Sequence, residues 1–428
     1  MTPPPSVDTV ESEPGEDRRP QNIVLGVAGG IAAYKACHVV RGFTEQGHSV
    51  RVVPTESALN FVGAATFEAL SGNPVSTGVF DRVEEVQHVR VGQEADLVVI
   101  APATADLMAR LVAGRADDLL TATCLVATCP VVVAPAMHTE MWNHPATRAN
   151  VATLRDRGVT VLEPAHGRLT GPDTGAGRLP DPEQIVALSL LRLDGCELPQ
   201  DLSGRRVLVT AGGTRENIDP VRYLGNRSSG RQGFALAEVA AQRGAEVTLI
   251  AGATDELPVP CGVELIRISS ARELEGEVAA RAADRDIIIM AAAVADYRPT
   301  TTAPAKLKKN SASALTGVEL TENPDILAGL TASRREGRIS ADTVIVGFAA
   351  ETGDDTGSVL DHALRKIRRK GCDLLMCNDV GSGKVFGRRR NRGWLITPDG
   401  SVTEVDDGTK FRVASAILDS AVRLIPDR

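Results

Sequence analysis

Two stretches of the chain decide its fold, namely Ile23-Val24-Leu25-Gly26-Val27-Ala28-Gly29-Gly30 and Val207-Leu208-Val209-Thr210-Ala211-Gly212-Gly213-Thr214. Each is a short, almost continuously apolar run that passes directly into small residues and glycines. Such a run is typical of a parallel β-strand that is covered on both faces, and the glycines allow a tight turn or the close approach of a ligand. The two stretches therefore predict two sheets of the same kind, one in each half of the chain.

The same pattern recurs along both halves, with intervening stretches that are long enough for crossover helices. The sequence therefore predicts an α/β protein made of two doubly wound, Rossmann-like domains. The further predicted strands are Val50–Val53, Leu97–Ala101 and Val131–Ala134 in the first half, and Val247–Ala251, Ile287–Met290, Val344–Phe348 and Leu374–Cys377 in the second.

Polar residues with turn propensity at Asp194–Pro199 mark the expected boundary between the domains. We expect the first domain over residues 21–195 and the second over residues 196–428. Residues 1–20 are rich in Pro, Glu and Ser, a composition that predicts a disordered tail.

Composition excludes several classes of protein. Apolar residues make up 43% and charged residues 24% of the 428-residue chain, which is typical of an ordered globular protein, and the net charge of -8 argues against nucleic-acid binding. No apolar run is as long as a membrane span, and the amino terminus lacks the apolar core of a signal peptide. The seven cysteines are scattered without CxxC pairs, so we expect reduced thiols, no zinc site and a cytoplasmic enzyme.

The glycine turn of the first half predicts a phosphate site. Gly29 and Gly30 end a strand at the start of a helix, where backbone amides face a ligand. The spacing is not GxGxxG, which counts against a dinucleotide, and a role in the turn alone stays open. Thr55, Ser57 and Thr104 follow the second and third strands, at the sheet edge where open α/β sheets bind ligands.

Other polar residues of this half allow two interpretations each. Asp117 and Asp118 fit helix caps as well as the edge of a flavin. His88, in a short segment of alternating polarity, fits a structural or solvated side chain as well as an acid-base group. Met137 and His138 fit the exit of an apolar strand as well as a substrate contact.

Taken together, residues 21 to about 190 resemble the flavin-containing cysteine decarboxylases, in particular phosphopantothenoylcysteine decarboxylase. The resemblance is carried by GGIAAYK, the lone histidine, APATAD, ADDLL, PAMxxxMW and the Gly-x-Gly-Arg that ends at Arg178. It implies bound FMN, His88 as the acid-base residue beside the substrate, and trimers with the flavin between subunits. In that chemistry the flavin oxidises the cysteine end of the substrate, and carbon dioxide leaves. The flavin then returns the electrons to the product, so no NAD is consumed.

The chain departs from this family at two positions. His138 stands where the family has an Asn that binds the substrate carboxylate, and an imidazole can also donate a hydrogen bond to a carboxylate. Thr170 stands where the family usually has a proton-donating Cys, and a hydroxyl is a far weaker acid than a thiol. A chain whose first half is impaired as a decarboxylase, with the second half active, therefore stays open as an alternative.

In the second half, small hydroxyls, glycines and arginines meet at the predicted start of a helix. They form Asn226-Arg227-Ser228-Ser229-Gly230, downstream of the glycine turn at Gly212. Backbone amides and guanidinium groups at a helix start predict an anion site. A generic Rossmann-like turn would also tolerate these residues.

A second group of charged residues follows the strand Ile287–Met290. Ala292 and Asp296 come after the strand end, and Lys306, Lys308 and Lys309 follow shortly. A basic cluster is often only a solvated surface. In a loop beyond a strand end, however, ammonium groups fit a triphosphate and the charge that develops in phosphoryl or nucleotidyl transfer.

Residues 202 to about 425 resemble phosphopantothenate-cysteine ligase along their whole length. The motifs TAGGTRE, DPVR, NRSSGRQG, AAVADY, KLKK, ENPDIL, VGFAAET and CNDV occur in that order. The resemblance implies CTP with Mg²⁺ as the nucleotide. The carboxylate of 4'-phosphopantothenate attacks the α-phosphate, pyrophosphate leaves, and the amine of cysteine attacks the acyl-cytidylate.

The same resemblance implies residue roles. Asn226 would hold the acyl-cytidylate, Lys306 would stabilise the transferring phosphate, and Asp296 with Ala292 would contact the base or ribose. Asp296 is also an option as a ligand of Mg²⁺. Phe348 lies in a matching motif, where a structural role is equally open, as it is for Asn323 and Asn378.

The two halves together predict a bifunctional enzyme of coenzyme A biosynthesis that uses 4'-phosphopantothenate, cysteine and CTP. The resemblance further implies a homo-oligomer in which trimers assemble into a dodecamer. Two alternatives belong to other classes: a two-domain nicotinamide oxidoreductase, which would need a GxGxxG and a ribose-binding acid, and a flavin-bound scaffold protein.

Overall fold

The computed structural model describes residues 19–77, 87–169, 173–308, 317–351, 357–379 and 390–426. The predicted tail lies almost wholly outside these residues, as do Thr170 and Lys309. Two compact units make up the chain: residues up to Leu162 with Arg168–Ser189, and Glu163–Gly167 with Leu190–Arg428. The domain boundary near residue 195 stays a prediction. Among the described helices, none has the length and apolar character needed to cross a membrane.

The first unit contains a five-stranded parallel sheet in the order β2-β1-β3-β4-β5. This is the flavodoxin-like order, which reverses between β1 and β3 and so leaves a crevice at the carboxyl ends of those strands. The strands of the amino-terminal part are β1 (Asn22–Val27), β2 (Ser49–Pro54), β3 (Leu97–Ala103), β4 (Val131–Pro135), β5 (Thr160–Val161), β6 (Ala165–Arg168) and β7 (Thr174–Arg178).

Helices cover this sheet because its strands are apolar on both faces; all seven residues of β3 are buried. Short 3-10 helices follow β1 and β2, at Ile31–Lys35 and Glu56–Asn60. The α-helices are α1 (Ala36–Thr44), α2 (Ala64–Ser71), α3 (Gln87–Glu94), α4 (Ala105–Val112), α5 (Leu119–Val126), α6 (Thr139–Asn143), α7 (Pro145–Asp156) and α8 (Pro182–Leu193).

The second unit contains an eight-stranded sheet in the order β12-β11-β8-β13-β16-β17-β18-β19. The strands from β12 to β17 are parallel, and β18 and β19 extend the sheet in antiparallel fashion. The order reverses between β8 and β13. The strands are β8 (Arg206–Ala211), β9 (Arg215–Asn217), β10 (Tyr223–Gly225), β11 (Glu246–Ala251), β12 (Val263–Arg267), β13 (Ile287–Met290), β14 (Tyr297–Pro299), β15 (Leu320–Glu322), β16 (Val344–Glu351), β17 (Leu374–Asp379), β18 (Arg390–Ile396) and β19 (Val402–Thr409).

Two cores lie on the two faces of this sheet, and alternate residues of each strand enter them. Val207 and Val209 of β8 pack into one core, whereas Leu208 between them packs into the other. Burying each such side chain contributes about 1.5–3 kcal/mol. The helices that cover the faces are α9 (Arg231–Gln242), α10 (Ala271–Arg281), α11 (Ile326–Arg335), α12 (Val359–Lys370) and α13 (Lys410–Val422), with a 3-10 turn at Ala282–Asp284.

The predicted α/β class with two parallel sheets is confirmed, and every predicted strand is present. Sequence analysis missed β12 at one edge and the antiparallel pair β18 and β19 at the other, because these strands are partly exposed and lack a continuous apolar run. The segment of alternating polarity around His88 is helix α3, so its alternation does not reflect a strand.

Candidate functional sites

Hydrogen bonds between strand ends bring the predicted flavin residues of the first unit to one edge of the sheet. The N–H of Thr55 after β2 donates to the C=O of Val27 (2.9 Å), and the N–H of Ala28 donates to the C=O of Pro102 in β3 (3.0 Å). The ends of β1, β2 and β3 are therefore locked together at the crevice where the strand order reverses.

The glycine turn at this edge leaves room for a ligand. A Cβ on Gly29 would lie 2.4 Å from the Ser57 Oγ, a distance that excludes any side chain, whereas a Cβ on Gly30 would meet only the Thr104 Cγ2, at 4.0 Å. The hydroxyls of Thr55 and Ser57 lie 3.0 Å apart beside the turn. Exposed backbone amides next to hydroxyl groups fit a phosphate group.

Thr104, Asp117 and Asp118 have local roles in the structure. Thr104 caps α4, and the Asp118 carboxylate caps α5 by accepting from the N–H of Thr121 at 2.8 Å. Arg110, which sequence analysis missed, pairs with Asp117 at 2.7 Å and with Asp118 at 2.6 Å. The hydrogen bond from Arg110 lowers the pKa of Asp117. Of the two interpretations left open, the helix-cap role is present for Asp118.

His88 lies in the first turn of α3 and is half-buried. Its Nδ1 is buried, and no hydrogen-bond partner for it lies among the described residues. A buried ring nitrogen without a partner costs free energy unless a ligand satisfies it. The hydrogen-bonding capacity of this atom is therefore not met within the described part of the chain.

Gly92 sets how closely α3 packs against α5. It follows His88 by one helical turn, and a Cβ on it would lie 2.9 Å from the Thr123 O and 3.3 Å from the Ala127 N. These are backbone atoms of α5 and its end, so they cannot rotate away. Any side chain at position 92 must push the helix that carries His88 away from α5.

We expect Gly92→Ala to lower both the thermal midpoint of the first unit and the reaction rate that depends on His88. Replacing Gly by Ala in a helix favours folding by about 1 kcal/mol, but overpacking costs about 1–3 kcal/mol, so the net change is destabilising. Calorimetry measures the midpoint. The matched control is Gly276→Ala in α10, where a Cβ meets nothing within 4 Å and should stabilise the protein. Equal stabilisation by both changes would contradict the packing argument.

Met137 and His138 lie at the end of β4, beside strand β7. The N–H of Met137 donates to the C=O of Gly177 (2.9 Å), and His138 is exposed at the start of α6. Arg178 at the end of β7 pairs with Asp181 at 3.3 Å. The structure thus brings Met137 next to β7, while the charge of Arg178 is paired with a carboxylate of its own chain.

The second unit has an open cleft of about 500 Å³ at the carboxyl end of β8. Asn226, Ser228 and Ser229 line this cleft, as predicted. Arg227 of the predicted anion motif and Thr214 and Arg215 of the quoted TAGGTRE motif line it as well. The polar lining residues that were not predicted are Tyr223, Thr254 and Asp255.

Two glycines pack against Ala253 and Thr254, which line the cleft. Gly212 (φ +77°) and Gly230 (φ +75°) both adopt the left-handed backbone conformation that favours glycine. A Cβ on Gly230 would lie 2.4 Å from the Thr254 Cγ2, and a Cβ on Gly212 would lie 2.6 Å from the Ala253 O. Helix α9 begins directly after Gly230, close in sequence to the lining residues Ser228 and Ser229, and the free N–H groups of a helix start suit an anion.

Hydrogen bonds connect the loop after β13 to residues that line this cleft. Asn226 Nδ2 donates to the C=O of Val294 (2.9 Å), and the buried Thr214 hydroxyl accepts from the N–H of Ala295 (3.0 Å). Ala292 donates its N–H to the Thr210 hydroxyl at 3.1 Å. These bonds place exposed Asp296 in the same loop. Phe348, by contrast, packs against the hydrophobic core.

Asp219 and Arg222 hold the loop that carries the predicted lysines. The buried Asp219 carboxylate accepts from the N–H groups of Val221 and Arg222 (both 2.8 Å) and of Leu307 (3.3 Å), and Arg222 Nη2 donates to the Leu307 C=O (2.8 Å). Burial would raise the pKa of the Asp219 carboxyl, yet these three N–H groups hold that pKa below its usual value. Leu307 is thereby fixed, and Lys306 beside it is exposed.

We expect Asp219→Asn to lower the rate of any reaction that depends on Lys306 by about tenfold. The side-chain oxygen of the asparagine can still accept from the N–H groups of Val221 and Arg222. Its NH₂ group would then face the N–H of Leu307, so that two donors meet without an acceptor. An unpaired buried donor costs about 1–3 kcal/mol. Steady-state kinetics and hydrogen exchange at Leu307 measure the effect. The control is Asp284→Asn, which breaks an exposed ion pair with Arg206. If the reaction rate and the hydrogen exchange at Leu307 were both unchanged in Asp219→Asn, the proposed role of Asp219 in holding Leu307 and Lys306 would be contradicted.

No three His, Cys, Asp or Glu side chains within the described part of the chain are grouped so that they could hold a metal ion. A role of Asp296 toward Mg²⁺ therefore stays a prediction.

Two family models match the chain. Residues 11–193 match the family described as flavoprotein, and residues 202–424 match the family described as DNA/pantothenate metabolism flavoprotein C-terminal domain. The chain is 62% identical over 401 residues to the coenzyme A biosynthesis bifunctional protein CoaBC of Mycolicibacterium smegmatis, covering 94% of this chain and 97% of that protein.

The protein of the same name from Mycobacterium tuberculosis is 60% identical, with 95% of this chain and 98% of that protein covered. A crystal structure of the C-terminal domain of a coenzyme A biosynthesis bifunctional protein CoaBC is 35% identical. It covers 53% of this chain and 97% of its own, with a TM-score of 0.43.

Proposed function

The chain belongs to the family of bifunctional coenzyme A biosynthesis proteins, and from this premise we propose that it joins cysteine to 4'-phosphopantothenate with CTP and then decarboxylates the phosphopantothenoylcysteine with FMN. It is an enzyme with a flavoprotein decarboxylase domain followed by a ligase domain. Family membership decides against the nicotinamide oxidoreductase and the scaffold alternatives. The observation that carries the proposal is the cleft of about 500 Å³ at the carboxyl end of β8, together with the glycine turn at the carboxyl end of β1.

The glycine turn of the first unit fits the phosphate of FMN, because Gly29 lies against Ser57, whose hydroxyl is 3.0 Å from that of Thr55, and a Cβ on Gly30 would meet only the Thr104 Cγ2. Thr104 stands at the same edge. The flavin, when bound, takes up and returns the electron pair that makes loss of carbon dioxide easy. The chain's own residues then have to orient the substrate and move its protons.

His88 is proposed to move the proton beside the reacting cysteine, since its buried Nδ1 lacks a partner among the described residues. His138, exposed at the start of α6, is proposed to hold the substrate carboxylate until it leaves. Thr170, which lies outside the described residues, is proposed for the final protonation.

In the ligase domain no protein nucleophile is needed. The cleft lined by Asn226, Ser228 and Ser229 is proposed to hold the acyl-cytidylate, with the amides at the start of α9 facing its phosphate. Lys306, fixed through Leu307, is proposed to stabilise the charge that develops as pyrophosphate leaves. Asp296 and Ala292 are proposed to contact the base or ribose, and Mg²⁺ to arrive with the phosphates of CTP.

We place the whole enzyme in the cytoplasm, as a homo-oligomer in which trimers share the flavin sites. Its partners would be small molecules: 4'-phosphopantothenate, cysteine and CTP.

One reaction mixture tests both activities. Purified protein with FMN is incubated with 4'-phosphopantothenate, cysteine, CTP and Mg²⁺, and pyrophosphate, carbon dioxide and product mass are measured. Release of pyrophosphate followed by carbon dioxide is the expected result. Pyrophosphate without carbon dioxide would mean an impaired decarboxylase, and the absence of both would overturn the proposal.

A further inference from the structure

The segment that carries His138 is fastened to strand β7 on both sides of that residue. The N–H of Met137 donates to the C=O of Gly177 (2.9 Å), and the hydroxyl of Thr139 donates to the C=O of Ala176 (2.8 Å). His138 lies between these two bonds, and its own side chain is exposed. The backbone at position 138 is therefore held while the imidazole stays free to meet a ligand.

Two glycines of β7 make this close contact possible. A Cβ on Gly175 would lie 2.2 Å from the Thr139 Oγ1, and a Cβ on Gly177 would lie 2.2 Å from the Met137 O. Gly177 also has a φ of +130°, a conformation that side chains rarely allow. β7 and the segment Met137–Thr139 thus fit together only because neither glycine carries a side chain.

The far end of β7 is connected to the glycine turn of the cofactor site. Asp181, three residues beyond the strand, accepts from Arg178 at 3.3 Å and from Lys35 at 3.1 Å. Lys35 ends the 3-10 helix that follows Gly29 and Gly30, and its side chain is only 13% exposed. One strand therefore links the segment of His138 to the turn proposed to bind the FMN phosphate.

We propose that Thr139 is a positioning residue for the decarboxylase: by holding β7, it sets the position of His138 relative to the flavin and thereby the affinity for the substrate carboxylate. This inference rests on the proposed function of the first unit. Thr139 itself need not touch the substrate, because its hydroxyl is occupied by Ala176.

The decisive comparison is between Thr139→Val, which keeps the shape but loses the hydroxyl, and Thr139→Ser, which keeps the hydroxyl. Both are made in the full-length, FMN-loaded protein. The first probe is the substrate analogue with serine in place of cysteine, which retains the carboxylate but has no oxidisable thiol. The second probe is 4'-phosphopantetheine, which has no carboxylate. Binding is followed by the change in flavin absorbance.

Thr139→Val is expected to weaken binding of the serine analogue by about 3- to 10-fold, the range that corresponds to loss of one neutral hydrogen bond. Binding of 4'-phosphopantetheine should stay within about twofold, as should both affinities of Thr139→Ser. Equal weakening of both probes, unchanged binding of both, or loss of FMN from Thr139→Val would each overturn the inference.

A readout that needs no ligand separates this inference from the proposed function. Hydrogen exchange at the Met137 amide, which donates to Gly177, should become faster in Thr139→Val and remain unchanged in Thr139→Ser. Unchanged exchange in Thr139→Val overturns the positioning role even if the enzyme decarboxylates. Conversely, if the wild-type protein bound neither probe, the proposed decarboxylase function would be contradicted.

Discussion

Replacing Lys306 by Gln is expected to lower the rate of pyrophosphate release by about 100-fold or more, because a preorganised charge at a transferring phosphate contributes on that scale. The exposed ammonium of Lys306 lies next to Leu307, whose backbone is held at both its N–H and its C=O. The glutamine keeps a polar side chain, one bond shorter than that of lysine, but loses the charge. Initial rates of pyrophosphate release with CTP and 4'-phosphopantothenate provide the measurement.

Lys306→Arg, which retains the charge, should recover part of the lost rate. Arg338→Gln serves as a matched surface control, since Arg338 is exposed and pairs only with nearby Glu336 among the ion pairs of the described chain. Decarboxylation of supplied phosphopantothenoylcysteine should be unaffected in Lys306→Gln. If both activities fell together, the two halves would not act independently.

Replacing His88 by Asn is expected to slow decarboxylation by about 10²- to 10⁴-fold, the usual contribution of a positioned acid-base group. Asparagine can still form hydrogen bonds near the position of the Nδ1, but it cannot take up and release a proton at neutral pH. The measurement is carbon dioxide release from supplied phosphopantothenoylcysteine. Flavin absorbance shows whether the cofactor is still bound.

His38→Asn is the matched control, because His38 is an exposed residue of α1. Its decarboxylation rate should equal that of the wild type. The ligase rate should stay normal in both variants. A His88→Asn protein that binds FMN and decarboxylates within a fewfold of the wild-type rate would remove His88 from the mechanism.

Local sequence accounts for the strands and turns that build both sites. A continuous apolar run followed by glycines, as at Ile23–Gly30, predicts a buried strand and an open turn from the properties of neighbouring residues alone. The same reasoning failed for β18 and β19, where partial exposure leaves a mixed pattern. The alternating polarity around His88 belongs to a helix, so alternation over a few residues does not by itself identify a strand.

The sequence by itself therefore determined the α/β class, the two glycine turns and the order of motifs that leads to the family. Only the tertiary structure decided how the reactive side chains are supported. Asp219 meets Leu307 across 88 positions of sequence, and Thr139 meets Ala176 across 37. Such contacts have no local signature, because they form only when folding brings together segments that are far apart in the sequence.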